Sequence, residues 1–153
     1  MGVLTVKVLK VTDLPNLEMF GVSDPYGVIQ LEQENGMFDR SLGKHTTSKK
    51  ENDLNPVYNE TFTFEIPALA NMRLNVSVYD DNRSAALGNS TMFDSFFGKA
   101  AIELGNRELS ETPTELSQVI KGSKPDPKNK PGAPMKMIEA ETGKLFLELS
   151  FKE

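Results

Sequence analysis

The sequence predicts an all-β domain, an eight-stranded antiparallel Greek-key β-sandwich, and three observations lead to this fold class. Apolar and polar residues alternate along several short segments, which is the pattern of strands with one buried face. Glycine, asparagine and proline lie between those segments, as they do in turns. Little of the chain favours helix, and many short strands without helices are typical of a sandwich.

Four segments show the alternation most clearly, with polar residues between the apolar ones. Their apolar positions are Leu4, Val6 and Val8; Phe62, Phe64 and Ile66; Leu74, Val76 and Val78; and Leu145, Leu147, Leu149 and Phe151. An alternation of this kind indicates antiparallel sheet with one face in the core and the other in water.

Weaker patterns predict the remaining strands at 26–34, 40–48 and 97–104, with one more between 116 and 139. A short helix is also expected within 109–119, because Ser110 can cap it. Residues 121–136 are rich in proline and lysine and have no apolar periodicity, so they are expected to form an exposed loop.

Composition limits the class of protein. The 153 residues carry a formal charge of −5, with 22 acidic and 17 basic side chains, which argues against nucleic-acid binding. The length and the moderate content of charge predict one globular domain over 1–153, expected to be a monomer. There is no cysteine and no signal-peptide pattern, so a cytoplasmic location is expected. No apolar run reaches the ~20 residues of a membrane-spanning helix, so membrane contact would be peripheral.

The sequence offers little for catalysis. His45 is the only histidine, and without cysteine it cannot belong to a zinc cluster or a Cys-His pair. No glycine-rich phosphate loop is present. The protein is therefore not expected to be an enzyme.

Acidic residues follow two of the predicted strands. Asp24 lies in a turn with Pro25, and Asp80 and Asp81 come directly after the strand that ends at Val78. If the two loops lie at the same edge of the sandwich, their carboxylates converge and repel each other unless a cation is bound. An all-oxygen set of ligands suits calcium. The alternative is that Asp24 caps its turn and that Asp80, Asp81 and Asn82 are solvated, with Asp81 exposed in either case.

Several motifs are spread over nearly the whole length of the chain: the opening strand 2–8, the Ser-Asp-Pro-Tyr of 23–26, the Asn-Pro-Val-Tyr-Asn-Glu of 55–60, the strand 74–80, Phe97-Gly98 and the closing strand 143–149. Together, in this order, they resemble the motifs of C2 domains. The resemblance implies an eight-stranded Greek-key sandwich of the type II topology. It also implies that three loops at one end bind calcium and membrane.

The resemblance implies a set of calcium ligands in two of those loops. Asp24 and Asp80 match family aspartates, whereas Glu18 and Asn82 stand where the family has aspartate. Asp94 is one position from the last expected ligand, after a loop that is about six residues longer than usual. The cofactor implied is Ca²⁺, bound weakly and as one ion rather than several.

Apolar and basic residues near the same loops complete the predicted site. Met19, Phe20, Leu87 and Met92 are expected to insert into the membrane, since a soluble protein has little reason to expose them. Arg83, Lys44 and Lys49 are expected to contact lipid headgroups.

The predicted function is calcium-dependent peripheral binding to anionic phospholipid membranes, reversible and cytoplasmic. Two alternatives stay open. One is a calcium-independent module that binds a protein partner, favoured by Glu18 and Asn82 in place of aspartate. The other is a targeting domain that belongs to a larger signalling protein.

Overall fold

A computed structural model describes residues 1–18, 20–83, 91 and 94–153, and it contains eight strands in that part of the chain. The strands are β1 Gly2–Thr12, β2 Pro25–Asn35, β3 Phe38–Thr46, β4 Val57–Ile66, β5 Met72–Asp80, β6 Ser95–Glu103, β7 Thr114–Pro125 and β8 Met137–Lys152. No helix of the described residues is long and apolar enough to cross a membrane.

The eight strands are antiparallel and follow the spatial order β3-β2-β5-β6-β7-β8-β1-β4. Only one residue pair, Lys99 with Lys121, joins β6 to β7 in the ladder, so the order divides there into two four-stranded halves. Strands distant in sequence are neighbours, as in Greek-key connections. The predicted all-β fold is confirmed, and the type II topology stays a prediction.

The core lies between the two halves and contains the residues that the alternation placed inside. Leu4, Val6 and Val8 of β1 are 0–1% exposed, and Leu145, Leu147 and Leu149 of β8 are fully buried. The facing half contributes buried residues of β2, β5 and β6, which are Ile29, Leu31, Leu74, Val76, Val78, Phe97 and Ile102. Burial of these apolar side chains is the main stabilising contribution to the fold.

Two predictions for the last third of the chain are wrong. The expected helix in 109–119 is not formed, because Thr114–Pro125 pairs with β8 along its whole length. That pairing satisfies the backbone hydrogen bonds that the helix would have made, and it places Ile120 in the core. The exposed loop predicted over 121–136 is also shorter, since its first five residues belong to β7.

The two halves approach very closely where β6 meets β7. A Cβ atom added to Gly122 would overlap the carbonyl oxygen of Phe97, and one added to Gly98 would lie 2.7 Å from the carbonyl oxygen of Lys121. Only glycine allows backbones to come this near each other. Gly98 and Gly122 therefore allow β6 and β7, and with them the two halves of the sandwich, to pack directly against each other.

Strand directions place four connections at one end of the sandwich, which we call the loop end. Three of them are loop 1 (13–24, after β1), loop 2 (47–56, after β3) and loop 3 (81–94, after β5), and the fourth is the β7–β8 connection, 126–136. Pro25, the first residue after loop 1, pairs with Asp80, the last residue before loop 3. Loop 1 therefore ends beside the point where loop 3 begins. The opposite end carries Arg73, which forms ion pairs with Glu32, Glu34 and Asp39 at 2.6–2.7 Å.

Candidate metal centre

The structure brings Asp24 and Asp80 together at the loop end. The backbone N–H of Asp24 donates to Oδ1 of Asp80 at 2.8 Å, and the N–H of Asp81 donates to the carbonyl oxygen of Asp24 at 3.0 Å. Oδ1 of Asp24 accepts a hydrogen bond from the N–H of Asn52 in loop 2. All three loops thus contribute to fixing the two carboxylates.

The side chain of Asp80 is buried and only half satisfied. Asp80 is 0% exposed, and its Oδ2 accepts no hydrogen bond in the described structure. A buried carboxylate oxygen without a partner is strongly unfavourable, because it has lost its water and gained nothing. This oxygen is therefore the clearest single sign of a cation site.

Glu18 is the third acid of this group. Its pKa is raised to about 7, first because its protonated carboxyl hydrogen-bonds to Asp80, then by burial and by the negative charges of Asp80 and Asp24. Two ionised carboxylates repel each other and cannot hydrogen-bond, so ionisation of Glu18 places a second negative charge beside Asp80. A proton on Glu18 is one way to relieve the repulsion, and a bound cation is another.

Loop 1 is shaped by side-chain hydrogen bonds of Asn16 and Ser23, which were not predicted. Oδ1 of Asn16 accepts hydrogen bonds from the N–H groups of Glu18 and Ser23, and the buried Ser23 hydroxyl accepts one from the N–H of Leu17. These bonds hold the loop in a tight turn that presents Glu18. The residue types are typical of turns, but the partners are up to seven positions apart and have no sequence signature.

Asp94 is placed differently from the other candidate ligands. Its Oδ2 accepts a hydrogen bond from the Tyr26 hydroxyl at 2.5 Å, and its Oδ1 accepts one from the N–H of Asn82 at 2.8 Å. The Asn82 amide in turn donates to Ser95 Oγ at 3.1 Å. Burial and the bond to Asp94 raise the pKa of the Tyr26 phenol. Both Asp94 oxygens are thus engaged by protein donors, and no described contact joins Asp94 to Asp24 or Asp80.

The side chain of Asp81 is buried rather than exposed, so that expectation is wrong. It is 5% exposed and pairs with Arg83 at 2.9 Å and with Lys49 at 3.3 Å. The hydrogen bond from Arg83 is the main reason that the pKa of Asp81 is lowered to about 2. Asp81 therefore lies between Arg83 and Lys49, two of the three basic residues predicted to contact lipid headgroups.

The described residues fit part of a calcium site. No group of three His, Cys, Asp or Glu side chains within 1–18, 20–83, 91 and 94–153 has the spacing of a finished metal site. Asp24, Asp80 and Glu18 nevertheless lie near enough to shift the ionisation of Glu18. Calcium takes six to eight oxygens in flexible geometry, so carboxylates together with backbone carbonyls can meet its needs.

The membrane-facing candidates are described only in part. Phe20 is 87% exposed at the tip of loop 1, and Leu17 beside it is 40% exposed. Met19, Leu87 and Met92 lie outside the described residues. Lys44 and Arg83 line one cavity of about 510 Å³, together with Tyr26 and Tyr79.

The raised pKa of Glu18 predicts a pH dependence in the absence of calcium. An acid whose pKa is higher in the folded state (about 7) than in the unfolded chain (4.5) makes folding less favourable as pH rises through that window. We expect the wild type to lose stability relative to Glu18→Gln between pH 5 and pH 8. Urea unfolding of both proteins at the two pH values in chelator measures the difference, and a constant difference would contradict the placement of Glu18.

The fold and the loops define a β-sandwich domain whose candidate site lies on loops at one end. The chain belongs to the C2 domain family, whose model matches residues 2–119. Rat synaptotagmin-9 is 37% identical over 84 residues, or 54% of this chain, and human synaptotagmin-1 is 47% identical over 66 residues, or 43%. The chain spans 16% and 15% of the lengths of these two relatives.

Solved structures show the same fold along the whole chain. A C2 domain of plant extended synaptotagmin 1, the one designated A, superposes with a TM-score of 0.69 at 22% identity, covering 99% of this chain and 94% of that one. Human GIVD cytosolic phospholipase A2 gives a TM-score of 0.64 at 22% identity, and there 99% of this chain matches 17% of the enzyme. The strands beyond residue 119 therefore complete the sandwich, although the family model stops before them.

Proposed function

We propose that this C2 domain binds anionic phospholipid membranes peripherally and reversibly, with calcium at the loop end as the trigger. The observation that carries the proposal is the buried, unpaired Oδ2 of Asp80 beside Asp24 and Glu18. Calcium would be held by these three residues and by carbonyl oxygens of the loops, weakly and as one ion. Asn82 and Asp94 would join only if loop 3 rearranged.

Electrostatics explains how calcium would control membrane binding. Glu18, Asp24 and Asp80 concentrate negative charge at the loop end, and an anionic bilayer repels such a surface within about a Debye length. A bound divalent cation reverses the local sign and offers coordination positions to lipid oxygens. Phe20, at the tip of the same loop, would then enter the interface, where exposed aromatic side chains are favourable.

Two further observations support this function. The family to which the chain belongs is the one whose loop motifs imply calcium and lipid binding. Among the structures of the same fold is a calcium-bound form of two C2 domains of extended synaptotagmin 2, with a TM-score of 0.55 at 20% identity. That ion is a property of the other protein and supports calcium here only by analogy.

The basic residues have distinct roles in this proposal. Lys44 and Arg83, which share a cavity, would hold a lipid phosphate. Lys49 would act mainly through its ion pair with Asp81, where it limits the negative charge of the loop end. The domain would be monomeric, cytoplasmic and without catalytic activity.

Co-sedimentation with vesicles tests the proposal. We expect the protein to pellet with phosphatidylserine-containing vesicles in calcium, but much less in chelator and not with neutral vesicles at matched ionic strength. Equal pelleting in calcium and in chelator would refute the calcium trigger. No pelleting under any condition would refute the membrane function itself.

A second function is favoured by the geometry of Asp94. Because Tyr26 and Asn82 occupy both of its oxygens, protein hydrogen bonds fix Asp94 in place, as expected for a calcium-independent module that binds a protein partner. This alternative also covers a targeting role within a larger signalling protein. A thermal midpoint that does not change between calcium and chelator would favour it over the calcium-dependent function.

A further inference from the structure

The β7–β8 hairpin extends far beyond the strand beside it. β1 ends at Thr12, which pairs with Lys144, whereas β7 and β8 continue to pair until Pro125 and Met137. The residues 137–143 of β8 therefore lie past the end of β1, a distance of about 23 Å at the usual rise of a strand. Because β1 leads directly into loop 1, the hairpin overhangs the loop end.

The tip of this hairpin has the opposite charge to its surroundings. Residues 124–137, which close the hairpin, contain four lysines and one aspartate, a formal charge of +3, and Glu139 and Glu141 follow in β8 opposite Ser123 and Lys121. Because the whole chain carries −5, the other residues carry −8. The neighbouring loops hold the acidic group of Glu18, Asp24 and Asp80, so an acidic and a basic surface lie at the same end of the molecule.

The tip is ordered by its own hydrogen bonds. The N–H of Asp126 donates to the carbonyl oxygen of Lys136 at 2.9 Å, and the N–H of Lys128 donates to Oδ1 of Asp126 at 2.9 Å. The Asn129 side chain donates to the carbonyl oxygen of Lys136 and accepts from its N–H. Four prolines further limit the backbone. The one acidic group of the tip is thus used to fold it, while Lys124, Lys128, Lys130 and Lys136 stay exposed.

Apolar side chains accompany the lysines. Met135 is 70% exposed and Met137 50% exposed, and both line a groove of about 540 Å³ between the hairpin and loop 1. Leu17, on the opposite wall of this groove, precedes the exposed Phe20 by three residues. The groove also contains Asp13, Lys124 and Glu141, so the hairpin and loop 1 share an apolar wall, whereas the basic charge belongs to the tip of the hairpin.

We propose that the tip of the β7–β8 hairpin is a second membrane contact, which binds anionic lipid headgroups through Lys124, Lys128, Lys130 and Lys136 without calcium. This inference rests on the membrane function proposed above, but the contact through the hairpin does not need calcium. In the absence of calcium the hairpin holds the domain loosely at an anionic surface. Calcium then removes the repulsion at the acidic loops, and both contacts act together.

The chemistry of the tip favours a bilayer over other polyanions. Exposed methionines among lysines match the boundary between headgroups and acyl chains, where basic and apolar side chains are favourable together. Nucleic acid would engage the lysines through its phosphates but has no acyl layer to take up Met135 and Met137. An acidic peptide would need only the lysines and would leave the methionines and Phe20 exposed.

The variant Lys128→Gln/Lys130→Gln tests this contact in chelator. A lysine near an anionic surface contributes about 1 kcal/mol, or about fivefold in affinity, so the double variant should bind phosphatidylserine vesicles about 25-fold more weakly at about 0.05 M salt. Wild-type binding should disappear at about 0.5 M salt. The matched control is Arg107→Gln/Lys152→Gln, which removes the same charge at the opposite end and should change binding by less than about twofold.

The outcomes separate this inference from the calcium function. Weakened binding of the double variant in chelator supports the hairpin even if calcium has no effect on the protein. Equal affinities of wild type and double variant in chelator would overturn it, even if calcium stimulates binding. Tighter binding to an acidic peptide than to vesicles in the same buffer would also overturn the assignment to membrane.

A site-specific label tests the orientation of the hairpin. The chain has no cysteine, so Ala133→Cys at the tip and Asn106→Cys at the opposite end each accept one polarity-sensitive fluorophore. Vesicle binding in chelator should shift the emission of the label at 133 and leave the label at 106 unchanged. The same shift at both positions would contradict contact through the tip.

Discussion

Asp80→Asn should abolish the calcium response while leaving the domain folded. Asparagine keeps the oxygen that accepts the N–H of Asp24 and replaces the unpaired Oδ2 with an NH₂ group that can donate to ionised Glu18. We therefore expect the free energy of unfolding of the variant in chelator at pH 8 to equal or exceed that of the wild type, because a buried unpaired charge has been removed.

The affinity for calcium is the property that Asp80→Asn should lower most. The substitution removes the most buried negative ligand and aims a donor at the position of the ion, and ligand charge is a main determinant of calcium affinity. We expect the dissociation constant to rise about 100-fold or more, which corresponds to about 2.7 kcal/mol. Calorimetric titration with calcium measures this directly, and co-sedimentation with phosphatidylserine vesicles measures its effect on the membrane.

Asp39→Asn provides the control for Asp80→Asn. It makes the same chemical change at the opposite end, where Asp39 is paired with Arg73, so calcium affinity should be unchanged. A wild-type calcium affinity for Asp80→Asn would refute the assignment of Asp80 as a ligand. Unfolding of Asp80→Asn in chelator would show instead that the carboxylate is needed for structure.

Gly122→Ala should cause the largest loss of stability. The added Cβ would overlap the carbonyl oxygen of Phe97 and lie 3.0 Å from Oγ1 of Thr142. A backbone oxygen cannot move aside as a side chain can, so β6 and β7 must separate at the one place where the sheet halves pair. Overpacking usually costs about 1–3 kcal/mol, and at this backbone contact we expect at least about 3 kcal/mol, measured by urea unfolding.

Gly27→Ala is the matched control for Gly122→Ala. Gly27 is also a strand glycine, and it is buried, but a Cβ there would meet only ordinary contacts, the nearest at 3.6 Å from Thr47. The free energy of unfolding of Gly27→Ala should stay within about 1 kcal/mol of the wild-type value. If the two variants unfolded at the same urea concentration, the close approach of the halves at Gly122 would be refuted.

The strands that sequence predicts well are those with one face in water. In β1 and β8 buried residues alternate with more exposed ones, so the alternation is visible in the sequence. β7 is different because Ile120 is its only fully buried residue, and without an apolar stripe its residues are as compatible with helix. The length of the β7–β8 hairpin is equally hard to predict from the sequence. Its outer residues pair with each other and do not face the core, so they carry no apolar alternation.

At the site, sequence predicts residue types better than partners. The convergence of Asp24 and Asp80 follows from two strand ends at one edge, and the pairing of Pro25 with Asp80 produces it. The Tyr26–Asp94 hydrogen bond joins residues 68 positions apart, and no local pattern indicates it. The burial of Asp81 is hidden from the sequence for the same reason, because its partner Lys49 comes from a different loop.

The position of β8 has a consequence for biosynthesis. The eighth strand of this domain lies between β7 and β1, so β1, which is synthesised before the other seven strands, cannot complete its half of the sandwich until β8 has been made. Contacts between such distant segments fold slowly, because the chain must lose much entropy before they form. Until Met137–Lys152 has been made, β1 exposes an unpaired edge, and we expect nascent chains shorter than this to need chaperone protection against aggregation.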